Sequence, residues 1–336
     1  MPNNYLNVRY KQARGKILSI SKQTEIEILK VYQQAGKDLI KKFNKTKAGS
    51  NATRAYYAGY IRNLNSQIND IIKTAGLSSA EVPAGLQREM MQHLFHVSGI
   101  DTTAVQEFKP LFKQIPHNSI ARIIDGSIYK DTTTLSDRIW GASLKAGEDI
   151  QGIINAGLAK QTSAAELSKA LQAYVDPAIR KTWDRERIRE ILGDGYARWN
   201  KNLEYNSLRL ARTTITHSAQ LSHTESCKAN PFVEAIQWFS VLAHKRTCDL
   251  CRDRHQKIYK VNEVPFDHPN GLCYQTAVIE KSMSEITDEL SKWVKGGESN
   301  VLDNWFEEFG QQMLPEPTQS QPSIDDLFTT FTRHSI

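Results

Sequence analysis

The sequence predicts an α+β protein: a mainly helical N-terminal part with long amphipathic helices, a small β-rich C-terminal module, then two helices and a tail. Three observations predict it. Apolar residues recur in steps of three and four through the N-terminal segment. Three short runs rich in β-forming residues crowd between residues 233 and 280. Paired capping residues and a glycine stop mark a further helix beyond 281. At 336 residues the chain exceeds one ordinary domain. It divides as 1–204 (helical), 205–280 (the β-rich module with its cysteines), 281–313 (two helices) and 314–336 (a flexible tail with a short amphipathic end).

The first stripe runs Ile17, Ile20, Ile28, Val31, Ala35, Leu39 and Phe43, with Lys22, Lys30, Lys37, Lys41 and Lys45 on the opposite face. "KAGSN" breaks it, and a second helical stretch runs from Thr53 to about Thr74, carrying Tyr56, Tyr57, Tyr60 and Ile61. Shorter helices separated by Pro83, Gly99, Pro116 and Gly126 are expected next, then a longer one from about Leu135 to Ala159. Ser163 and Glu166 have capping-box spacing, and Pro177 suits a first helical position. "VEAIQWFSVL", "KIYKV" and "YQTAVIE" read as strands. Ser282 and Glu285 cap a helix carrying Ile286, Leu290 and Trp293, and Gly296-Gly297 stops it. Val301, Leu302, Trp305, Phe306 and Phe309 form one more stripe. After the linker-like "PEPTQSQP", Ile324, Leu327, Phe328 and Phe331 keep helical spacing suited to a partner's groove.

Composition narrows the function classes. No apolar run approaches the roughly 18 residues of a bilayer span, and the basic N-terminus lacks the apolar stretch of a secretory signal. A reducing compartment is therefore expected, where four cysteines are thiols or metal ligands rather than disulfides. Net charge is +6, but the first fifty residues hold 11 Lys/Arg against 3 Asp/Glu, and residues 281–336 hold 4 against 10. A basic arm and an acidic end point to polyanion contact at one end and protein contact at the other. The chain contains no Walker A, GxGxxG, HExxH or GxSxG motif.

Three of the four cysteines lie in "TCDLCRDRHQKIYKVNEVPFDHPNGLC". Cys248-x2-Cys251 presents two thiolates from one turn, and a sixteen-residue loop returns His268 and then Cys273, a Cys3His set for zinc. His244 and His255 are further candidates. The same residues also suit a thiol-packed β-rich knot without metal. Asp267-His268 invites comparison with HNH endonucleases, in which the His is a general base. The second His or Asn that such a site needs on a following helix is missing, so the constellation is incomplete. His93 and His96 sit among Met90, Met91, Leu94 and Phe95 and read as a packed helix. His217 and His223 are six apart and do not face each other. Arg212 is expected to anchor the helix against the knot, and Cys227 to be a lone thiol.

The order of these pieces resembles a known family. Arg212-Thr213 on a helix, Trp238 on a strand, Arg246-Thr247-Cys248-x2-Cys251, Pro265 and His268-Pro269-x3-Cys273 together resemble the C-terminal module of the Mu F-like phage head morphogenesis (minor capsid, or minor head) proteins. The resemblance covers about residues 205–280. In that family the ending commonly reads His-Pro-x-Cys-Arg-Cys, whereas here Gly271 and Leu272 replace Cys and Arg. Thr214 stands where Glu usually follows the Arg-Thr pair. The resemblance implies a non-enzymatic role in procapsid assembly. The protein would bind at or near the portal, with scaffold or major capsid protein as further partners. Contact with double-stranded DNA, packaged or ejected, is also implied. Its place would be the virion interior, and the host cytoplasm during assembly. An HNH-like nuclease using His268, and a zinc DNA-binding protein, are the rival expectations.

Overall fold

The computed structural model describes residues 3–43, 51–100, 109–138, 148–150, 152–156, 162–192, 203–242 and 247–310. The expectations for the tail, for "KAGS", for Lys45, for the side chains of Leu39 and Phe43, and for His244 and Arg246 fall outside these residues. The fold is α+β and mainly helical, with one small antiparallel sheet among the described residues. The helices are α1 (Asn3–Phe43), α2 (Asn51–Val97), α3 (Lys109–Ile124), α4 (Ala164–Val175), α5 (Pro177–Arg180), α6 (Arg185–Leu192), α7 (Leu203–Lys228), α8 (Asp249–Arg254), α9 (Met283–Val294) and α10 (Asn300–Phe309). The strands are β1 (Ala235–Phe239), β2 (Ile258–Lys260) and β3 (Tyr274–Val278), ordered β2-β1-β3.

Two compact units form. One comprises Ile20–Ala75 and Arg122–Thr214; the other comprises Met1–Ser19, Gly76–Ala121 and Ile215–Ile336. The boundaries fall inside α1, α2, α3 and α7, so each of these helices lends a segment to each unit.

In the first unit the stripe of α1 buries Ile28, Tyr32 and Ala35 against Ile68 and Ile72 of α2 and Leu171 of α4. Lys22, Lys30, Lys37 and Lys41 face solvent, as helical spacing requires. Ser163 caps α4, accepting from the Glu166 amide at 3.3 Å. The helix predicted from Pro177 does begin there, with Asp176 as its cap, but it stops after one turn and resumes at Arg185. Arg180 is the last residue of that turn. Its guanidinium folds back to donate to the carbonyls of Ala173 and Tyr174, the last turn of α4, and pairs with Glu204 through two contacts of 2.9 Å.

The second unit holds the sheet. β1 lies in the middle, with Ile236 and Trp238 fully buried and their neighbours half-exposed, the alternation of a strand covered on one face. The complete capping box at Ser282 and Glu285 starts α9, and Gly296 at φ +85° ends it. Trp305 of α10 donates to the Ala229 carbonyl at 2.9 Å, closing a core with Phe95, Phe112 and Phe232.

Gly99 ends a helix as expected, but Pro83 and Pro116 do not: α2 and α3 run through them. A mid-helix proline loosens the carbonyls one turn before it. Near Pro83 the Ser222 hydroxyl of α7 donates to the Ala80 carbonyl, three residues before the proline, at 2.6 Å, so a neighbouring helix supports the turn that the proline disturbs.

Candidate metal centre

The site is assembled on a turn, a loop and one helix. Cys248 is the N-cap of α8, its sulfur accepting from the Cys251 amide at 3.4 Å, so the x2 spacing places Cys251 at the third position of the helix. Cys251 turns inward, where Trp238, wholly buried, packs on Cys251 and Cys273. Ser240 links the layers: its hydroxyl donates to the Cys251 carbonyl at 2.6 Å and receives the Trp238 indole N–H at 3.2 Å.

The loop from Asp267 to Cys273 is held by one face of α7. Thr216 donates to the Gly271 carbonyl at 3.1 Å, and His217 Nε2 meets the Asp267 carbonyl at 3.0 Å. Gln220 accepts from the Asp267 amide at 3.0 Å and donates to the Cys273 carbonyl at 3.2 Å. Inside the loop, the fully buried Asp267 carboxylate accepts the amides of His268 and Cys273, each at 2.9 Å.

These constraints bring the donors together. Cys248, Cys251 and His268 form one triad of ligand atoms, and Cys251, Asp267 and Cys273 a second, the atoms of each lying within 4.8 Å of one another. Cys251 Sγ stands 3.2 Å from His268 Nε2 and 3.4 Å from Cys273 Sγ. Tetrahedral zinc with bonds of about 2.0–2.3 Å sets its ligands roughly 3.5–3.8 Å apart. Each triad offers three donors of the kinds such an ion takes, and the two triads share Cys251. The four expected ligands meet through Cys251, and Asp267, read from sequence only as the neighbour of His268, is the fifth group.

Asp267 also bears on the sequence departure at Gly271. A Cβ there would lie 2.0 Å from Asp267 Oδ2. The carboxylate fills the space beside residue 271, where the resembling family commonly has a cysteine.

Electrostatics divides the thiols. The Cys251 amide, aided by His268, lowers the Cys248 thiol below its ordinary value. Burial pushes Cys251 and Cys273 up, and the Asp267 charge adds to both. Burial pulls His268 down, but its bond to the Pro269 carbonyl and the Asp267 charge outweigh that and leave it raised. The inner thiols therefore keep their protons unless a cation replaces them.

The other candidates fall elsewhere. His255 offers Nδ1 to the Ser240 amide at 3.2 Å. Arg212, expected as the anchor of the knot, donates to Glu25 of α1 at 2.6 Å; the anchoring groups on α7 are Thr216, His217 and Gln220. Cys227 is not a lone thiol: its sulfur lies 3.5 Å from His223 Nε2, one turn earlier on α7. That pair was open to sequence reading, because residues four apart share a helix face. Met90, Met91, Leu94 and Phe95 are buried around His93 and His96, the packed helix expected. Among the described residues no helix is long and apolar enough to cross a membrane. Comparison of the chain with protein-family models, curated proteins and solved structures finds no match.

Proposed function

We propose that this chain is a minor head protein of the Mu F-like head morphogenesis kind, joining the procapsid at or near the portal, with zinc fastening its C-terminal module. The observation that carries the reading is convergence. Cys-x2-Cys, His-Pro and the closing Cys, which together make the family resemblance, meet around Cys251, with His268 Nε2 at 3.2 Å and Cys273 Sγ at 3.4 Å. Thiolate and imidazole donors favour zinc over magnesium or calcium. Cys248, Cys251, His268 and Cys273 would hold it, with Asp267 as the alternative oxygen donor. A zinc ion so held would act as a cross-link between α8 and the loop, not as a reagent.

The exposed lysines of α1 supply a basic face for packaged double-stranded DNA or for an acidic portal or scaffold surface. The nuclease reading draws little support. The His268 ring faces the Cys251 thiol, and α9, the next helix, carries no His or Asn to complete an HNH site.

Elemental analysis of the purified chain tests the zinc half; about one zinc per chain is expected, lost in Cys251→Ser. Co-sedimentation with assembled portal protein from the same phage tests the assembly half. Metal-free protein purified under reducing, chelator-free conditions would remove zinc from the reading. Failure to co-sediment with the portal, together with absence from purified virions, would remove the assembly role.

A further inference from the structure

The cysteines of the candidate metal centre also support chemistry that needs no metal. Cys251 is the sulfur common to both triads: Cys248 Sγ lies within 4.8 Å of it on one side, and Cys273 Sγ at 3.4 Å on the other. All three are free thiols. A sulfur–sulfur bond is about 2.05 Å long, so joining Cys251 to Cys273 asks the two sulfurs to close by roughly 1.4 Å.

Exposure sorts the three by role. Cys248 is exposed at the N-cap of α8, whereas Cys251 and Cys273 are 5 % and 6 % exposed and packed against Trp238. Oxidation of cysteine follows access, so a dissolved oxidant meets Cys248 first and reaches the inner pair through its sulfur. Cys227 stands apart: it is 1 % exposed, and its sulfur lies against His223 and Gln87.

We propose that Cys248, Cys251 and Cys273 form a thiol relay that reduces a small hydroperoxide and stores the oxidation as a buried Cys251–Cys273 disulfide. The Cys248 sulfur attacks the outer peroxide oxygen. The O–O bond breaks, Cys248 becomes a sulfenic acid, and the alcohol (water, from hydrogen peroxide) leaves with the thiol proton. The Cys251 sulfur then attacks the Cys248 sulfur, an S–S bond forms as the S–O bond breaks, and water leaves with the Cys251 proton. Finally the Cys273 sulfur attacks Cys251, the bond to Cys248 breaks, and Cys248 becomes a thiol again with the Cys273 proton. Two thiols and one hydroperoxide thus give one disulfide, one alcohol and one water.

The product bond joins α8 to the loop, the same two elements that zinc would join. It also consumes two of the four expected ligands, so oxidation expels a bound ion while leaving the cross-link in place. The relay uses the proposed zinc ligands but rests on neither the metal nor the portal.

The test uses the full chain, purified reduced, freed of reductant and held in chelator, with one equivalent of hydrogen peroxide as the probe. Thiols counted under denaturing conditions should fall from four to two per chain. Peptide mass mapping should find Cys251 joined to Cys273 of the same chain, with Cys248 and Cys227 free. Cys273→Ser should stop at a Cys248–Cys251 disulfide, and Cys248→Ser should lose most of the rate of thiol loss. Four thiols remaining, a Cys248 sulfinic acid beside two free inner thiols, or Cys248–Cys251 as the final disulfide of the unmodified chain would each overturn the proposal. So would a Cys248→Ser protein that oxidises as fast as the unmodified chain. The map of the unmodified chain decides the matter even if a variant misfolds. Zinc content, measured on the reduced chain before chelation, judges the metal reading separately: a metal-free chain that forms the disulfide keeps the relay and loses the zinc.

Discussion

Replacing Gly271 with alanine should damage the metal-centre loop more than any one-carbon change elsewhere in it. The demand is for space, since Gly271 is not among the glycines at positive φ. The added Cβ would lie 2.0 Å from Asp267 Oδ2 and 2.2 Å from its Cγ, well inside contact distance. A flexible side chain could swing away, but this carboxylate is fully buried and pinned by two backbone amides at 2.9 Å. Moving it forfeits two hydrogen bonds to a charged acceptor, each worth about 1.5–3 kcal/mol, so a loss of at least about 3 kcal/mol follows. For a unit of roughly 150–250 residues that corresponds to a fall in Tm of about 6–12 °C. Thermal melts followed by near-ultraviolet circular dichroism, which reports Trp238, would measure it. Because the cost arises from one contact, Asp267→Ala combined with Gly271→Ala should be scarcely worse than Asp267→Ala alone. A Gly271→Ala protein melting within about 1 °C of the unmodified chain would refute the reasoning, as would strict additivity of the two changes.

Three further outcomes are expected. His223 is buried with its pKa lowered from 6.5 to about 4, so the unfolded chain takes up a proton there that the folded chain refuses. This stability is complete above about pH 6.5 and declines towards pH 4, by up to about 3 kcal/mol. Urea midpoints at pH 7 and pH 4.5 should differ less in His223→Phe than in the unmodified chain; equal pH slopes would contradict the assignment. Arg180→Met leaves the Glu204 carboxylate buried and unpaired and should cost about 3–5 kcal/mol, with Glu204→Leu added on top restoring part of the loss. Urea titration of the single and double variants checks it, and a double variant no better than the single would sink it. If the centre holds a metal, stripping it with a chelator should leave far-ultraviolet helicity unchanged, because the bonds from Thr216, His217 and Gln220 hold the loop on α7 by themselves. Cooperative loss of helicity on chelation would show that the metal, not α7, carries the loop.

What could be read from the sequence follows the range of the forces involved. The α+β class, the three strands and the Ser282–Glu285 cap rest on spacings of two to four residues, and the structure has all of them. Pro83 was expected to break its helix because the contact that supports this turn, from Ser222 to the Ala80 carbonyl, spans 142 positions, and no local rule reports such a contact. The His223–Cys227 pair was within reach of the same periodicity rule and shows a local signal passed over. The candidate metal centre lies between these cases. Its thiols and His268 are legible because ligand chemistry constrains residue type and spacing. Asp267 is not, because what singles it out is the missing side chain at Gly271, a vacancy that has meaning only once the loop is closed. Closing the loop is in turn the work of α7. The residues that give the centre its shape are therefore polar groups on a helix some fifty positions earlier, and the cysteines that announce it are held in place by them.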